Sequence, residues 1–139
     1  MLDSTLLKEN ENMVLDFLFY WRRPIRVGDL KDHIHIKHST LNSILSRLEK
    51  DELVEWQKYG PVSLTEKGIH HASHLSNHHF IIEKFFKEIL SLPEDVAHDE
   101  ALHLAGALSC VVIEAMCQKL GISTENLHDG FCDQRSYRD

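Results

Sequence analysis

The stretch that decides the fold runs Ser39-Thr-Leu-Asn-Ser-Ile-Leu-Ser-Arg-Leu-Glu-Lys50 and continues through Leu53-Val-Glu-Trp56, Tyr59-Gly-Pro61 and Val62-Ser-Leu64. Leu41, Ile44, Leu45 and Leu48 recur at the i, i+3, i+4, i+7 spacing of one helix face, opposite Asn42, Ser43, Ser46 and Arg47. Ser39 or Thr40 is expected to cap this helix, because a side-chain hydroxyl can accept from an otherwise unpaired backbone N–H of the first turn. After Lys50 the period shortens: Leu53–Trp56 is strand-like, Tyr59-Gly60-Pro61 is turn chemistry and Val62–Leu64 is a second short strand, so a β-hairpin is expected.

Upstream, Glu11 to Trp21 carries Met13, Val14, Leu15, Phe17, Leu18, Phe19 and Trp21, which reads as a largely buried helix. Arg22-Arg23-Pro24 ends it, since proline biases its predecessor away from helical geometry. Val27, Leu30 and Ile34 then imply a short helix, and Ile36-Lys37-His38 a turn. Two helices, a third helix and a hairpin are the order of a winged helix-turn-helix. Downstream, Thr65-Glu-Lys-Gly68 leads into a long helix expected over 69–90, and Leu92-Pro-Glu-Asp95 breaks it. A final helix rich in small and apolar residues is expected from about Asp95 to Leu120, with Gly121 as its stop. The expected class is mainly α with a small β-hairpin. The expected division is a winged helix-turn-helix over 1–68, a helical domain over 69–122 and a flexible polar tail over 123–139.

Within 139 residues, 42% hydrophobic and 27% charged positions are ordinary for a folded chain and exclude disordered and collagen-like classes. No run of 18 apolar residues occurs and the first dozen residues are polar, so neither a membrane span nor a secretory signal is expected, and the protein is expected to be cytoplasmic. The net charge of −7 is uneven: residues 1–67 hold 10 Lys/Arg against 11 Asp/Glu, and residues 68–139 hold 5 against 11. The first part can therefore still present a locally basic face. No Gly-rich phosphate loop, no nucleophile with a recognisable base and no hydrolytic metal motif is present, so an enzyme is not expected.

The helix at 39–50 has the place of a recognition helix, with its N-terminal residues directed at a major groove of double-stranded DNA. Lys37 and Arg47 are candidates to neutralise phosphates. Ser39, Thr40, Asn42 and Ser43 are small polar residues suited to bases or backbone. Lys58 on the wing, with Arg26 and also Arg22 and Arg23, would add phosphate contacts. The alternative is a winged helix used only for protein interaction, because one skeleton serves both uses. Eleven histidines are an unusual load of groups that titrate near neutrality and ligate metals. Of these, His33, His35 and His38 flank the helix-turn-helix and read as surface or DNA-proximal. Three cysteines, Cys110, Cys117 and Cys132, do not form a disulfide framework. Cys110 and Cys117 lie two turns apart on one helix face; they read as buried small hydrophobes at the dimer interface, or else as a thiol sensor that gates DNA binding by oxidation.

Several segments resemble the DtxR/MntR family of metal-dependent repressors, the diphtheria toxin repressor and manganese transport regulator type. They are Arg26-Val-Gly-Asp-Leu30, His38 to Glu49, Asp51-Glu-Leu-Val54, Leu64-Thr-Glu-Lys-Gly68, His79-Phe-Ile-Ile-Glu83-Lys-Phe-Phe and Ala97-His98-Asp-Glu-Ala101. The likeness covers about residues 10 to 120, and the chain resembles the shorter, two-domain members. It implies a helical metal-binding and dimerisation domain after the winged helix, a homodimer on a palindromic operator, and a divalent transition metal (Mn, Fe, Zn, Co or Ni) as effector. It also implies His79, Glu83 and His98 as metal ligands. The family's other metal position falls here on Leu102, Ala105 and Gly106, which have no ligating side chain, and on Asn10.

Relocated ligands are available. His70, His74 and His78 stand at i, i+4, i+8, drifting by about 40° per step. A His pair at i, i+4 can fill two adjacent positions of one ion. Three in a row do not close a tetrahedron, so a partner from the final helix is needed. His71, Glu100 and His103 are further candidates; a solvated helix face is the other reading of the histidine row. His128 and Cys132 in the tail also have ligand-like spacing.

Overall fold

The computed structural model describes residues 4–57 and 60–123. The chain divides into two compact units, with the boundary between Ala72 and Ser73.

In the first unit, α1 (Ser4–Trp21), β1 (Ile25–Arg26), α2 (Val27–Ile34), α3 (His38–Lys50), β2 (Val54–Trp56) and β3 (Pro61–Leu64) follow in chain order, and α4 (Glu66–Glu88) begins here. The strands form one antiparallel sheet in the order β1-β3-β2. Ile25 pairs with Val62, and Val54, Glu55 and Trp56 pair with Leu64, Ser63 and Val62. The predicted hairpin is therefore present, with a third strand added at its free edge. Two residues have no period to read, so β1 was invisible in the sequence.

The predicted stripe of α3 points inward: Leu41, Ile44, Leu45 and Leu48 are buried with Val14, Leu15 and Leu18 of α1, Leu30 of α2 and Val62 of β3. Each such side chain removed from water contributes about 1.5–3 kcal/mol. The cap of α3 departs from expectation. The helix begins at His38 and Lys37 is the N-cap residue, with no side-chain cap hydrogen bond. Ser39 and Thr40 thus lie inside the first turn and neither is the cap.

The start of α4 is built by Thr65. Its Oγ1 accepts from the Gly68 N–H at 2.9 Å and donates to the Glu52 carbonyl at 2.6 Å, so one hydroxyl caps the helix and ties it to the chain entering β2. Lys67 Nζ donates to the Asp51 carbonyl at 3.0 Å in the same corner. The approach is so close that a Cβ on Gly68 would lie 1.8 Å from the Leu53 carbonyl oxygen.

The second unit holds the rest of α4, then α5 (Glu94–Leu104) and α6 (Cys110–Leu120). The single final helix expected over 95–120 is instead two, separated at residues 105–109. Gly106, with its high helix cost, and Ser109, whose extended backbone precedes α6, mark the break. Gly121 stops α6 as expected, in the left-handed conformation at φ 73°. Ile81 and Ile82 of α4, Ala101 of α5 and Ile113 and Cys117 of α6 form the buried core of this unit. Among the described residues no helix is long and apolar enough to cross a membrane.

Candidate metal centre and nucleic-acid interface

On the first unit, α3 turns Ser39, Ser43, Ser46 and Arg47 to solvent, with Thr40 and Asn42 half-buried beside them. Arg26 and Lys37 are also exposed. Ser43 Oγ donates to the Ser39 carbonyl at 3.1 Å, so this hydroxyl is turned back on its own helix. Arg47 is partly committed as well: its Nε lies 3.0 Å from Oε1 of the buried Glu11 on α1. Arg26, His38, Asn42, Trp56 and Gly60 line one open groove. Arg22 and Arg23 lie over the rings of Phe19 and Trp21, at 5.8 and 4.6 Å. His33 packs against Phe17 and Trp21, with centroids 5.2 and 5.1 Å apart, which joins α2 to α1. Lys58 lies outside the described residues.

The second unit gathers the side chains with ligand chemistry. One α4 helix presents two pairs at i, i+4: His74 with His78, and His79 with Glu83. Because His78 and His79 are consecutive, the two pairs lie on strips about 100° apart round the helix. Each strip is met by a different partner. His98 of α5 joins His79 and Glu83, and Cys110 of α6 joins His74 and His78.

At the first cluster, His79 Nε2 is 3.2 Å and His98 Nδ1 3.4 Å from the same Glu83 oxygen, Oε2. The two imidazole centroids are 4.9 Å apart, and the three donor atoms all lie within 4.8 Å of one another. Ligand atoms on adjacent positions of one four-coordinate ion, with bonds near 2.1 Å, stand about 3.4 Å apart, so this donor set fits a divalent transition metal. Burial lowers the pKa of His79, the nearby His98 lowers it further, and Glu83 opposes both. The neutral imidazole that results is the form that ligates. The other Glu83 oxygen is 3.9 Å from Lys87 Nζ. Glu94, Asp95 and Asp99 line the open cavity beside Glu83 and His98, which makes it acidic and attractive to cations.

His79, Glu83 and His98 are thus brought together as the resemblance implied. His74 and His78 are brought together too, with a third partner that sequence reasoning treated as a packing residue. His103 is exposed on the last turn of α5 and belongs to neither cluster; His70, His71 and Glu100 are likewise exposed and outside both. Leu102 is half-buried, Ala105 buried and Gly106 exposed, around the end of α5. His128 and Cys132 lie outside the described residues.

Residues 65–130 match the family described as "Iron dependent repressor, metal binding and dimerisation domain". An uncharacterised HTH-type transcriptional regulator of Methanocaldococcus jannaschii is 34% identical over 94 residues, covering 68% of this chain and 75% of that protein. The HTH-type transcriptional regulator MntR of Listeria monocytogenes is 31% identical over 74 residues, 53% of this chain and 52% of that one, so the match takes in about half of that relative's length. Among solved structures, the manganese regulator SloR has a TM-score of 0.73 at 23% identity, over 82% of this chain and 54% of that one. T. acidophilum IdeR has a TM-score of 0.65 at 15% identity, over 82% and 53%. At these identities the two structures speak to the fold alone. The matched family model, the MntR relative and the regulator covered to three quarters of its length, on one fold, lead to one conclusion: the chain belongs to the DtxR/MntR family of metal-dependent transcriptional regulators.

Proposed function

We propose that this protein is a cytoplasmic, non-enzymatic transcriptional regulator that binds double-stranded DNA as a homodimer and responds to a divalent transition metal. The observation that carries the reading is the cluster of His79, Glu83 and His98 in the same chain as a winged helix whose α3 keeps a small polar face in solvent. A metal bound by these three residues supplies a fixed positive charge and a cross-link between α4 and α5. Glu83 orients both imidazoles through one oxygen, and burial keeps His79 neutral and ready to ligate. Arg26, Lys37, Arg47 and Lys58 hold phosphates; Ser39, Thr40, Asn42 and Ser43 face the groove. The apolar surface left on the second unit, with Phe80 61% and Val111 66% exposed, supports a second copy as its cover. For metal to act as effector, it must bind the DNA-competent state more tightly than the other state.

The test is fluorescence anisotropy on a DNA site selected by the protein itself, with Mn²⁺ or Zn²⁺ and with chelator. The expected result is at least about 5-fold tighter binding with metal, the lower range of allosteric coupling. Glu83→Gln should abolish that difference while leaving the chelator curve in place. Affinity that ignores chelator would refute metal control, and no binding to any selected DNA would favour the protein-interaction reading.

A further inference from the structure

Away from the cluster described above, α4 and α6 bury a second set of donors. His74 and Cys110 are each 6% exposed and His78 1%, in a unit where histidine has no packing advantage over leucine. Cys110 Sγ lies 3.9 Å from His74 Nε2 and 3.8 Å from His78 Nε2, and the two imidazole centroids are 4.2 Å apart. All three donor atoms fall within 4.8 Å of one another. Ligands about a tetrahedral ion with bonds of about 2.3 Å to sulfur and 2.05 Å to nitrogen stand about 3.6 Å apart. The two sulfur–nitrogen separations need only a few tenths of an ångström of contraction.

The tautomer of His78 is settled by its surroundings. Its Nδ1 is 3.2 Å from the Ala105 carbonyl oxygen, and a carbonyl can only accept. The proton of the neutral ring is therefore on Nδ1, and the Nε2 lone pair points at Cys110. A backbone carbonyl that fixes the far nitrogen of a ligating histidine is the usual support of a metal-bound imidazole. The carbonyl comes from the break between α5 and α6, the same break that frees Cys110 from the line of α5.

We propose that His74 Nε2, His78 Nε2 and Cys110 Sγ form a second metal site, buried and thiolate-bearing, for a thiophilic divalent ion such as Zn²⁺ or Co²⁺. Binding releases the thiol proton and makes one metal–sulfur and two metal–nitrogen bonds, with no change of oxidation state. Sulfur with two imidazoles ranks Zn²⁺ and Co²⁺ far above Mn²⁺, whereas the carboxylate-containing cluster discriminates less, so Mn²⁺ is expected at the cluster and not at the buried site. The proposal concerns unit 2 alone and stands whether or not the protein binds DNA.

Untagged, metal-free, reduced full-length protein carrying Cys132→Ser is titrated with Co²⁺ and followed by absorption. The expected result is a sulfur-to-cobalt charge-transfer band in the near ultraviolet that is complete within two equivalents and has the amplitude of one thiolate-bound Co²⁺ per chain. Glu83→Gln with His98→Ala should keep the band while losing the other equivalent; Cys110→Ser and His78→Gln should lose it, with far-ultraviolet circular dichroism confirming folded protein. X-ray absorption of the Zn²⁺-loaded Glu83→Gln, His98→Ala protein gives the same answer with Cys110 intact, as one sulfur neighbour at about 2.3 Å. Absence of the band in the Cys132→Ser protein, its survival in Cys110→Ser, or a zinc shell of nitrogen and oxygen only would overturn the assignment. Failure of the DNA experiment with a normal cobalt titration would sink the regulatory reading and leave this one intact.

Discussion

Cys117 and Cys110 sit on one helix and have different chemistry because their neighbours differ. Cys117 is fully buried in the core of the second unit, and burial, followed by the nearby Glu114 carboxylate, pushes its thiol pKa up. An acid whose folded pKa is raised is held in its neutral form by folding, so its contribution is complete below the unfolded value and is lost as pH rises past it. The protein should therefore lose stability above about pH 9, less steeply in Cys117→Ala. At pH 8.5 iodoacetamide should label Cys117 slowly in the native state and rapidly in urea, as read by peptide mass spectrometry. Rapid native labelling would show that the residue is not held in the core. The sequence placed both cysteines on one helix face, buried at a dimer interface; the structure buries both within the single chain, Cys117 in the core of its unit. The sequence asked for a partner to the His74 and His78 row from the final helix without singling out Cys110, because that contact is set by the turn at 105–109 and not by any local spacing. The pairing of Arg47 with Glu11 escaped for the same reason: 36 residues separate them, and only the packing of α1 on α3 brings a buried carboxylate beside that guanidinium.

At the scale of elements, the corner where α4 begins is the most demanding geometry in the first unit. Gly68 is not needed for its backbone dihedrals; it is needed because the Leu53 carbonyl occupies the space of a Cβ. Alanine would gain about 1 kcal/mol of helix propensity and lose more to the clash, since a backbone oxygen cannot rotate away. Gly68→Ala should cost roughly 1–3 kcal/mol net, and Thr65→Ala about 1 kcal/mol through the lost cap, both measured by urea denaturation. An unchanged or raised midpoint for Gly68→Ala would contradict the close approach. The elements with clear period were readable: α3 by its leucine stripe, the hairpin by its change of period around Gly60-Pro61, α2 by three apolar residues. What was unreadable had no period or a misleading one. β1 is two residues long. The apolar pattern from Ala101 through Val112 runs on as if through one helix, and it masks the break that Gly106 and the extended Ser109 mark.

For the whole molecule, the account requires a second copy. A charge placed on the uncovered apolar surface should prevent it: Val111→Asp, 66% exposed in the single chain, should sediment as a monomer where the parent is a dimer, with unchanged circular dichroism. A dimer that survives would move the interface elsewhere. The His79, Glu83 and His98 cluster and α3 lie in different units of the chain, so the proposed control of DNA binding by metal is a thermodynamic linkage and must run in both directions. If metal tightens DNA binding by some factor, DNA must tighten metal binding by the same factor taken over the two sites of the dimer together. Isothermal titration of Mn²⁺ or Zn²⁺ into the Cys110→Ser protein, alone and saturated with its selected DNA, measures that factor at the His79, Glu83 and His98 site. Each dimer carries two such sites, so DNA should lower the metal dissociation constant at each by the square root of the ratio found in anisotropy, about 2- to 12-fold; identical metal affinities with and without DNA would contradict metal control.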